Sequence, residues 1–349
     1  MAFQQWDPAN EPIRPGLYTN FKEAAALQIK GGTRGIVAMP LKAYSGGTAA
    51  AKKFYTVSDE QGALELFGSA NIQSIKFALQ GGAKEILVYT MPATPAVQDY
   101  VDMRNAFEAR PFNVFVFDGE ASSAEMTNTK AWLAVNRTEK KHFMFVAGGT
   151  AADDQVPATG NTRTVGFNDE AIVNLITGVT IGGVNYSSGQ YASFIAGLIA
   201  STPINRSITY TQVQVDDVTK RLRNSEIVTA LTAGSFVLVN DGEKVKVEQG
   251  ITSGVKKIRT VRARQAVATD VEKTARDSYI GALDNNADGH AALISAIKGY
   301  LEQLEASNVL TAIQVGIDPQ FESVGDAVYL SISFTEIDSM ERIFLTINV

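Results

Sequence analysis

The sequence predicts a mixed α/β (α+β) protein: a central βαβ sheet domain, then a C-terminal α/β domain, with extended arms at both ends. Three observations carry this. From Lys84 onward, strands rich in Val, Ile and Phe alternate with 15 to 25 residues of helical pattern, as parallel βαβ units require. Two long amphipathic helices, at about 262–282 and 289–306, then lead into a further strand. The ends differ from the body: residues 1–22 hold Pro8, Pro12 and Pro15, and residues 328–349 hold two strands of alternating polarity.

In chain order, residues 1–22 are barred from a regular helix because each proline fixes φ and pushes its predecessor toward extended backbone. This arm carries Trp6, Leu17, Tyr18 and Phe21, more apolar surface than a solvated tail keeps, so it is expected to dock on a surface that need not be its own. GIVAMP at 35–40 reads as a short buried strand, and Asp59 to Gln80 as one or two helices stopped by Gly81 and Gly82. The alternation follows: strand EILVYT, a helix from Val97 to Arg110, strand FNVFVFD (112–118), a helix from Ser123 to Lys140, and strand HFMFVAG (142–148). Over 161–186 the composition turns to Thr, Val, Gly and Asn, a β-rich excursion, before SSGQYASFIAGLIAST, a helix of small residues suited to close packing. Asn224 to Ala233 continues as helix, FVLVND and KVKVEQ form a hairpin turning at Asp241-Gly242, and TAIQVGI follows the two long helices.

In VYLSISF, Val328, Leu330, Ile332 and Phe334 face one way and Tyr329, Ser331 and Ser333 the other; in RIFLTINV, Ile343, Leu345, Ile347 and Val349 repeat the alternation. A strand with an apolar face and open backbone groups invites aggregation unless a sheet receives it. Both ends therefore read as strand donors. The expected division is an N-terminal arm (1–22), an α/β domain (23–235), a C-terminal α/β domain (236–327) and a strand-donating arm (328–349). The segment after the first arm has two places to pack, so part of 23–90 is left open to the C-terminal domain.

Composition excludes several chemistries. The 349 residues include no cysteine, which removes disulfides, thiolate metal sites and cysteine nucleophiles, and the two histidines are His142 and His290. A net charge of −6 disfavours a general nucleic-acid binder. With neither a secretion signal nor a long apolar span, the chain is expected to be soluble, made in the cytosol and not inserted in a membrane. GGTRG (31–35) and AGGTAAD (147–153) fit no phosphate-loop pattern and read as turns needing positive φ. Asp118 and Gly148 lie at the carboxyl ends of expected parallel strands, where α/β enzymes build sites, and mark the alternative reading of a cytosolic enzyme. Neither histidine has a GxSxG partner. Asp284, Asn286, Asp288 and Gly289 match the first half of a calcium loop, but Ser295 stands where the closing Glu belongs, so Asp288 is read as the cap of a helix beginning near Ala291. No catalytic residue, cofactor or metal is expected. The run GVKKIRTVRAR, with Lys256, Lys257, Arg259, Arg262 and Arg264 and no acid, reads either as a solvated face or as an electrostatic contact with an acidic patch on another copy.

RPGLYTNF (14–21), YASFIAGLIAST with PINRSITY (191–210), KIRTVRA (257–263) and the closing VYLSISFTEIDSMERIFLTINV together resemble the contractile tail sheath proteins of bacteriophages, prophages and phage-tail-like bacteriocins, in their short form. The resemblance spans nearly the whole chain. It implies a virion or tail-particle subunit that polymerises as stacked helical rings around an inner tail tube, meets baseplate and tail terminator proteins, is assembled in the host cytoplasm and contracts to drive the tube through a cell envelope. In such families both arms complete a sheet in neighbouring subunits; here that role falls on Pro15, Gly16, Leu17, Tyr18 and Phe21, on Val328 through Phe334, and on Arg342 through Val349. A sheath of a non-phage injection machine shares the mechanics and stays open as an alternative.

Overall fold

The computed structural model of the chain describes residues 29, 31–32 and 34–348. The expected N-terminal donor residues Pro15, Gly16, Leu17, Tyr18 and Phe21, and Val349 at the other end, lie outside the described residues.

The first body opens with β1 (Ile36–Leu41), β2 (Phe54–Val57), α1 (Glu60–Phe67), α2 (Gln73–Gln80) and β3 (Glu85–Thr90). Asp59 starts α1 by accepting the Gly62 amide at 2.8 Å, and Gly68, at φ +80°, lets the chain leave it. The alternation continues with α3 (Val97–Glu108), β4 (Val114–Val116), α4 (Ser123–Thr138), β5 (Met144–Ala147), α5 (Ala151–Asp154), α6 (Pro157–Phe167) and β6 (Ile172–Asn174). The strands form one sheet in the order β2-β3-β1-β4-β5-β6, parallel except for β2 at the edge. The expected β-rich excursion over 161–186 begins instead as the end of α6, which Pro157 nucleates and which packs Gly160 directly on Ile176.

The pleat sorts side chains by kind. Val114, Val116, Met144 and Val146 face the aliphatic layer, while Phe115, Phe117, Phe143 and Phe145 face an aromatic layer with Phe107 and Trp132. On the aliphatic side lie β7 (Val179–Ile181), β8 (Val184–Tyr186) and then α7 (Ser188–Ser201), which crosses α2 at very short range. A Cβ at Gly197 would stand 2.1 Å from the Ala78 carbonyl oxygen, and one at Gly81 2.2 Å from that of Phe194, so glycine sets the crossing distance. Beneath the start of α7, buried Asp154 accepts the Ser188 amide at 2.6 Å and its hydroxyl at 2.5 Å. Burial raises the Asp154 pKa to about 6, against the pull of Ser188 and Arg163.

Two small sheets cap this body: β9 (Gln212–Val213) and β10 (Asp217–Val218) precede α8 (Asn224–Ala233), and β11 (Leu238–Asn240) pairs with β12 (Val245–Val247) across the expected Asp241-Gly242 turn. β12 continues onto β9, and β10 joins β7. Phe236, Leu238, Val245 and Val247, which follow the division expected near residue 235, are buried in the first body's core.

The second body comprises α9 (Ile258–Thr274), a π-helical turn (Ala275–Tyr279), α10 (Ala287–Ala306), β13 (Leu310–Ile317) and β14 (Leu330–Glu336) around a separate core that includes Val267, Ile297, Leu301 and Ile29. The segment leading into β1 is thus shared. Ile29 belongs to the second core, and Asp270 on α9 accepts hydrogen bonds from the Gly32 amide (2.8 Å), Arg34 (2.6 Å) and the Tyr300 hydroxyl (2.5 Å). The start of α10 corrects the expected cap: Asn286, not Asp288, accepts the Gly289 amide at 2.9 Å, and Asp288 falls in the first turn.

Candidate assembly interface

The strand order places the sheet's switch point between β1 and β4, whose carboxyl ends carry Lys42 and Asp118. That crevice is filled. Ser74 on α2 donates to Asp118 at 2.7 Å, and burial raises the Asp118 pKa against the opposing pull of Ser74 and Lys42. Gly148 is pressed by α7, where a Cβ would meet Ser188 at 2.3 Å; the space left beside it, lined by Phe117, Gly148 and Ala192, measures about 10 Å³. This is no more than one water needs, so the space beside Gly148 offers the alternative enzyme reading no substrate pocket. Gly148 and Gly149 are also not positive-φ turns as expected; among the glycines of the two runs, Gly35 alone is, at φ +105°. His142 sits at the opposite, amino-terminal edge of the sheet, where burial lowers its pKa, and His290 meets Asn285 beside α10. Among the described residues no cluster of His, Asp or Glu is arranged to hold a metal ion.

The chain's unfinished chemistry lies in backbone and apolar side chains at its C-terminal end. β13 and β14 pair antiparallel, Gln314 opposite Ser333 and Ile317 opposite Leu330, as a two-stranded sheet lying on α10. Val315, Leu330, Ile332 and Phe334 point into the second core, as the alternation requires, while Ser331 and Ser333 face out. Between Thr311 and Gln314 one extra residue interrupts the ladder, with Ala312 at φ +55°, so the hairpin is bulged near its base. A two-stranded sheet has two outer edges of unpaired amides and carbonyls, and no third strand joins either edge among the described residues. Leu330, Ile332 and Phe334, expected in the donated arm with Val328, are therefore part of a hairpin formed within the chain.

The strand ends where Ile337 donates to the Val309 carbonyl at 3.0 Å, and an extended segment follows. One clip holds it. Lys257 lies 2.7 Å from Asp338 and 3.1 Å from Glu341, and Glu341 also accepts hydrogen bonds from Thr209 (2.8 Å), Ser207 (3.2 Å) and Gln249 (3.0 Å). Burial opposes ionisation of Glu341, but these donors overcome it and hold its pKa at about 2. Beyond the clip nothing covers the chain: Ile343 is 76%, Phe344 93%, Leu345 79% and Ile347 74% exposed. At about 3.3 Å per residue, residues 342–349 reach roughly 26 Å when extended.

The basic run is largely spent inside the chain. Lys257 is in the clip, Arg264 pairs with Glu336 at the end of β14 and stands 3.7 Å from Glu170, and Arg259 is buried with one bond to the Asn308 carbonyl at 2.9 Å. The electrostatic contact expected with another copy is thus met at Lys257 and Arg264 by acids of the same chain. Lys256 is exposed and Arg262 faces a cleft beside α9. Glu336, Asp338 and Glu341 were the residues that sequence reasoning missed, although three acids in TEIDSME stand as a complement to an all-cationic run.

Residues 93–253 match the phage tail sheath protein central domain, and residues 252–349 match the phage tail sheath C-terminal domain. The chain belongs to the phage tail sheath family. It is 22% identical over 323 residues to the tail sheath protein of Clostridium phage phiCD119, covering 86% of this chain and 84% of that one. The crystal structure of a sheath tail protein from Desulfitobacterium hafniense superposes with a TM-score of 0.75 at 20% identity, covering 95% of this chain and 99% of its own. The helical sheath of the anti-feeding prophage in its contracted state gives a TM-score of 0.74 at 13% identity, covering 96% and 98%. The resemblance drawn from the closing segment and the helix at 191–202 is confirmed by membership in the sheath family; the C-terminal domain match covers the hairpin, Lys257, Asp338 and Glu341 of the clip, and the exposed arm.

Proposed function

We propose that this sheath-family chain is the structural subunit of a contractile tail sheath that polymerises helically around an inner tail tube and contracts to drive the tube through a target envelope. The observation that carries the assembly mode is the contrast at Glu341: a clipped segment before it and an uncovered apolar arm after it. Ile343, Leu345, Ile347 and Val349 share one strand face, and the open edges of the β13–β14 hairpin on another copy offer the backbone partners such an arm lacks. Pro15 through Phe21 donate in the same way from the other end. Strand addition keeps copies linked while bodies rotate, and a head-to-tail contact that does not close generates a helix.

In this reading the subunit is a mechanical part and not an enzyme, which the filled crevice at Asp118 supports; it is assembled in the host cytoplasm and takes its place between baseplate and tail terminator. Negative-stain electron microscopy of the full chain beside a version lacking residues 342–349 tests it. Tubes or stacked rings from the intact chain and folded single subunits from the shortened one are expected. Normal tubes from the shortened chain would refute the arm model.

A further inference from the structure

A cleft of about 720 Å³ separates the amino-terminal edge of the main sheet from α9. Arg262, Ala266, Thr269 and Lys273 recur at helical spacing and line it from α9, while Phe143 and Ile199 give it apolar wall from the first body. Arg262 has no hydrogen-bonding or ion-pair partner among the described residues. Its acidic neighbours on α9 are spent, Asp270 on Gly32, Arg34 and Tyr300, and Glu272 on Arg276 at 2.6 Å. Burial, and after it the nearby Arg34 guanidinium, lower the Arg262 pKa to about 10, as expected of a cation whose counter-charge is missing. The cleft therefore calls for an acid flanked by apolar side chains.

That chemistry stands at the tip of the hairpin. Residues 318–329 join β13 to β14 and leave Phe321, Val324 and Tyr329 exposed. Glu322 and Asp326 are exposed beside them, and neither meets a cation among the described residues. The loop is held in shape: Asn285 donates to the Gly325 carbonyl at 2.8 Å and the Ala327 carbonyl at 3.2 Å, the Tyr329 amide donates to the Ser323 hydroxyl at 3.1 Å, and the Phe321 and Tyr329 ring centroids lie 5.3 Å apart. A loop already ordered in this way loses little entropy on docking. It does not line the cleft of its own chain. The exposed arm after Glu341 is no substitute, because its one charged side chain is Arg342.

We propose that the loop at 318–329 of a second copy docks in this cleft, with Phe321 and Val324 against the apolar wall and the Glu322 carboxylate on the Arg262 guanidinium. The contact rests on the reading that copies of this chain assemble with one another. It joins two unlike surfaces, so it propagates head to tail, and it links bodies directly where the arms link them through strands. An arginine and an aromatic ring at its centre match the composition of interface cores.

Because the chain has no cysteine, single cysteines report the contact on the full-length protein. Thr269→Cys lies in the cleft and Val324→Cys at the loop tip, and neither changes a charge. A short bismaleimide is expected to link the two variants when they are mixed and to link neither to itself. Glu322→Arg in the loop partner, or Arg262→Glu in the cleft partner, is expected to slow linking about tenfold, and the two reversals together to restore it. Glu322 is exposed, so its reversal tests the contact even where Arg262→Glu fails to fold. No link in the mixture, or equal linking whatever the charges, would overturn the proposal. Sedimentation keeps the two readings apart: linked pairs without large particles would retain this contact and count against the sheath reading, whereas large particles without the link would do the reverse.

Discussion

Lys257 and Glu341 stand 3.1 Å apart, joining the start of α9 to the extended C-terminal segment. The pair lies at the junction of both bodies, since Thr209 and Gln249 of the first also donate to Glu341. Glu341 titrates near pH 2 in the folded chain against an ordinary 4.5. A depressed carboxyl pKa contributes stability that is complete above the unfolded value and lost as pH falls through the folded one. The clip should therefore hold at pH 6 and loosen progressively between about 4.5 and 2. Hydrogen exchange of residues 337–341 should rise across that window, and Glu341→Gln should show fast exchange already at pH 6, at a cost of about 1–2 kcal/mol in stability once solvent screening is allowed for.

Asp154 provides the opposite sign. Its pKa is raised to about 6 from 3.8, so its contribution is greatest with the proton on and declines as pH rises from about 4 to 6. The full span corresponds to roughly 3 kcal/mol as an upper bound. Asp154→Asn carries a constant offset from altered bonds to Ser188 and a lost attraction to the nearby Arg163 charge, but it cannot titrate. Urea denaturation at half-unit steps should show the variant gaining on the parent between pH 4 and 6, and a pH-independent difference would contradict the assigned burial.

Gly197→Ala sets local propensity against packing. In an isolated helix the change stabilises by about 1 kcal/mol. Here the added methyl would fall 2.1 Å from the Ala78 carbonyl oxygen, on backbone that cannot swing aside. Separation of α2 and α7 should cost about 3 kcal/mol or more, lowering the thermal midpoint, whereas alanine at Gly299, where a Cβ meets nothing within 4 Å, should be neutral or stabilising.

The βαβ body was legible because periodicity and burial agree: EILVYT and HFMFVAG are strands in both sequence and structure. α6 was not, because Thr, Gly and Val are poor helix formers and its support is tertiary, with Gly160 on Ile176 and Thr164 bonded to Ser235 and Asn174. Alternation in VYLSISF gave the correct face but could not say whether the partner strand lies in the same chain; β13 supplies it. The positive run at 254–264 likewise announced a need for acids without locating them, since Lys257 and Glu341 are brought together only by the fold. Gly148 shows a third limit: a glycine kept for the close approach of α7 reads, in one dimension, like a glycine kept for a turn.

The exposed arm separates stability from assembly. Ile343, Leu345 and Ile347 are largely exposed, so replacing Leu345 and Ile347 with Asp should leave the stability of the subunit within about 0.5 kcal/mol of the parent, read from its thermal midpoint. A neighbour's hairpin would receive those same side chains against apolar residues, and two carboxylates placed there would lose solvation without a partner. Sedimentation should then show single subunits under conditions in which the parent forms large particles. Thr346→Asp is the control, because Thr346 projects from the opposite face of an extended strand and its substitution should weaken assembly much less. If the Asp pair and the Thr346 variant assemble equally well, the arm is not donated as a strand; if both fail equally, it is buried on both faces and the recipient is a groove between two layers.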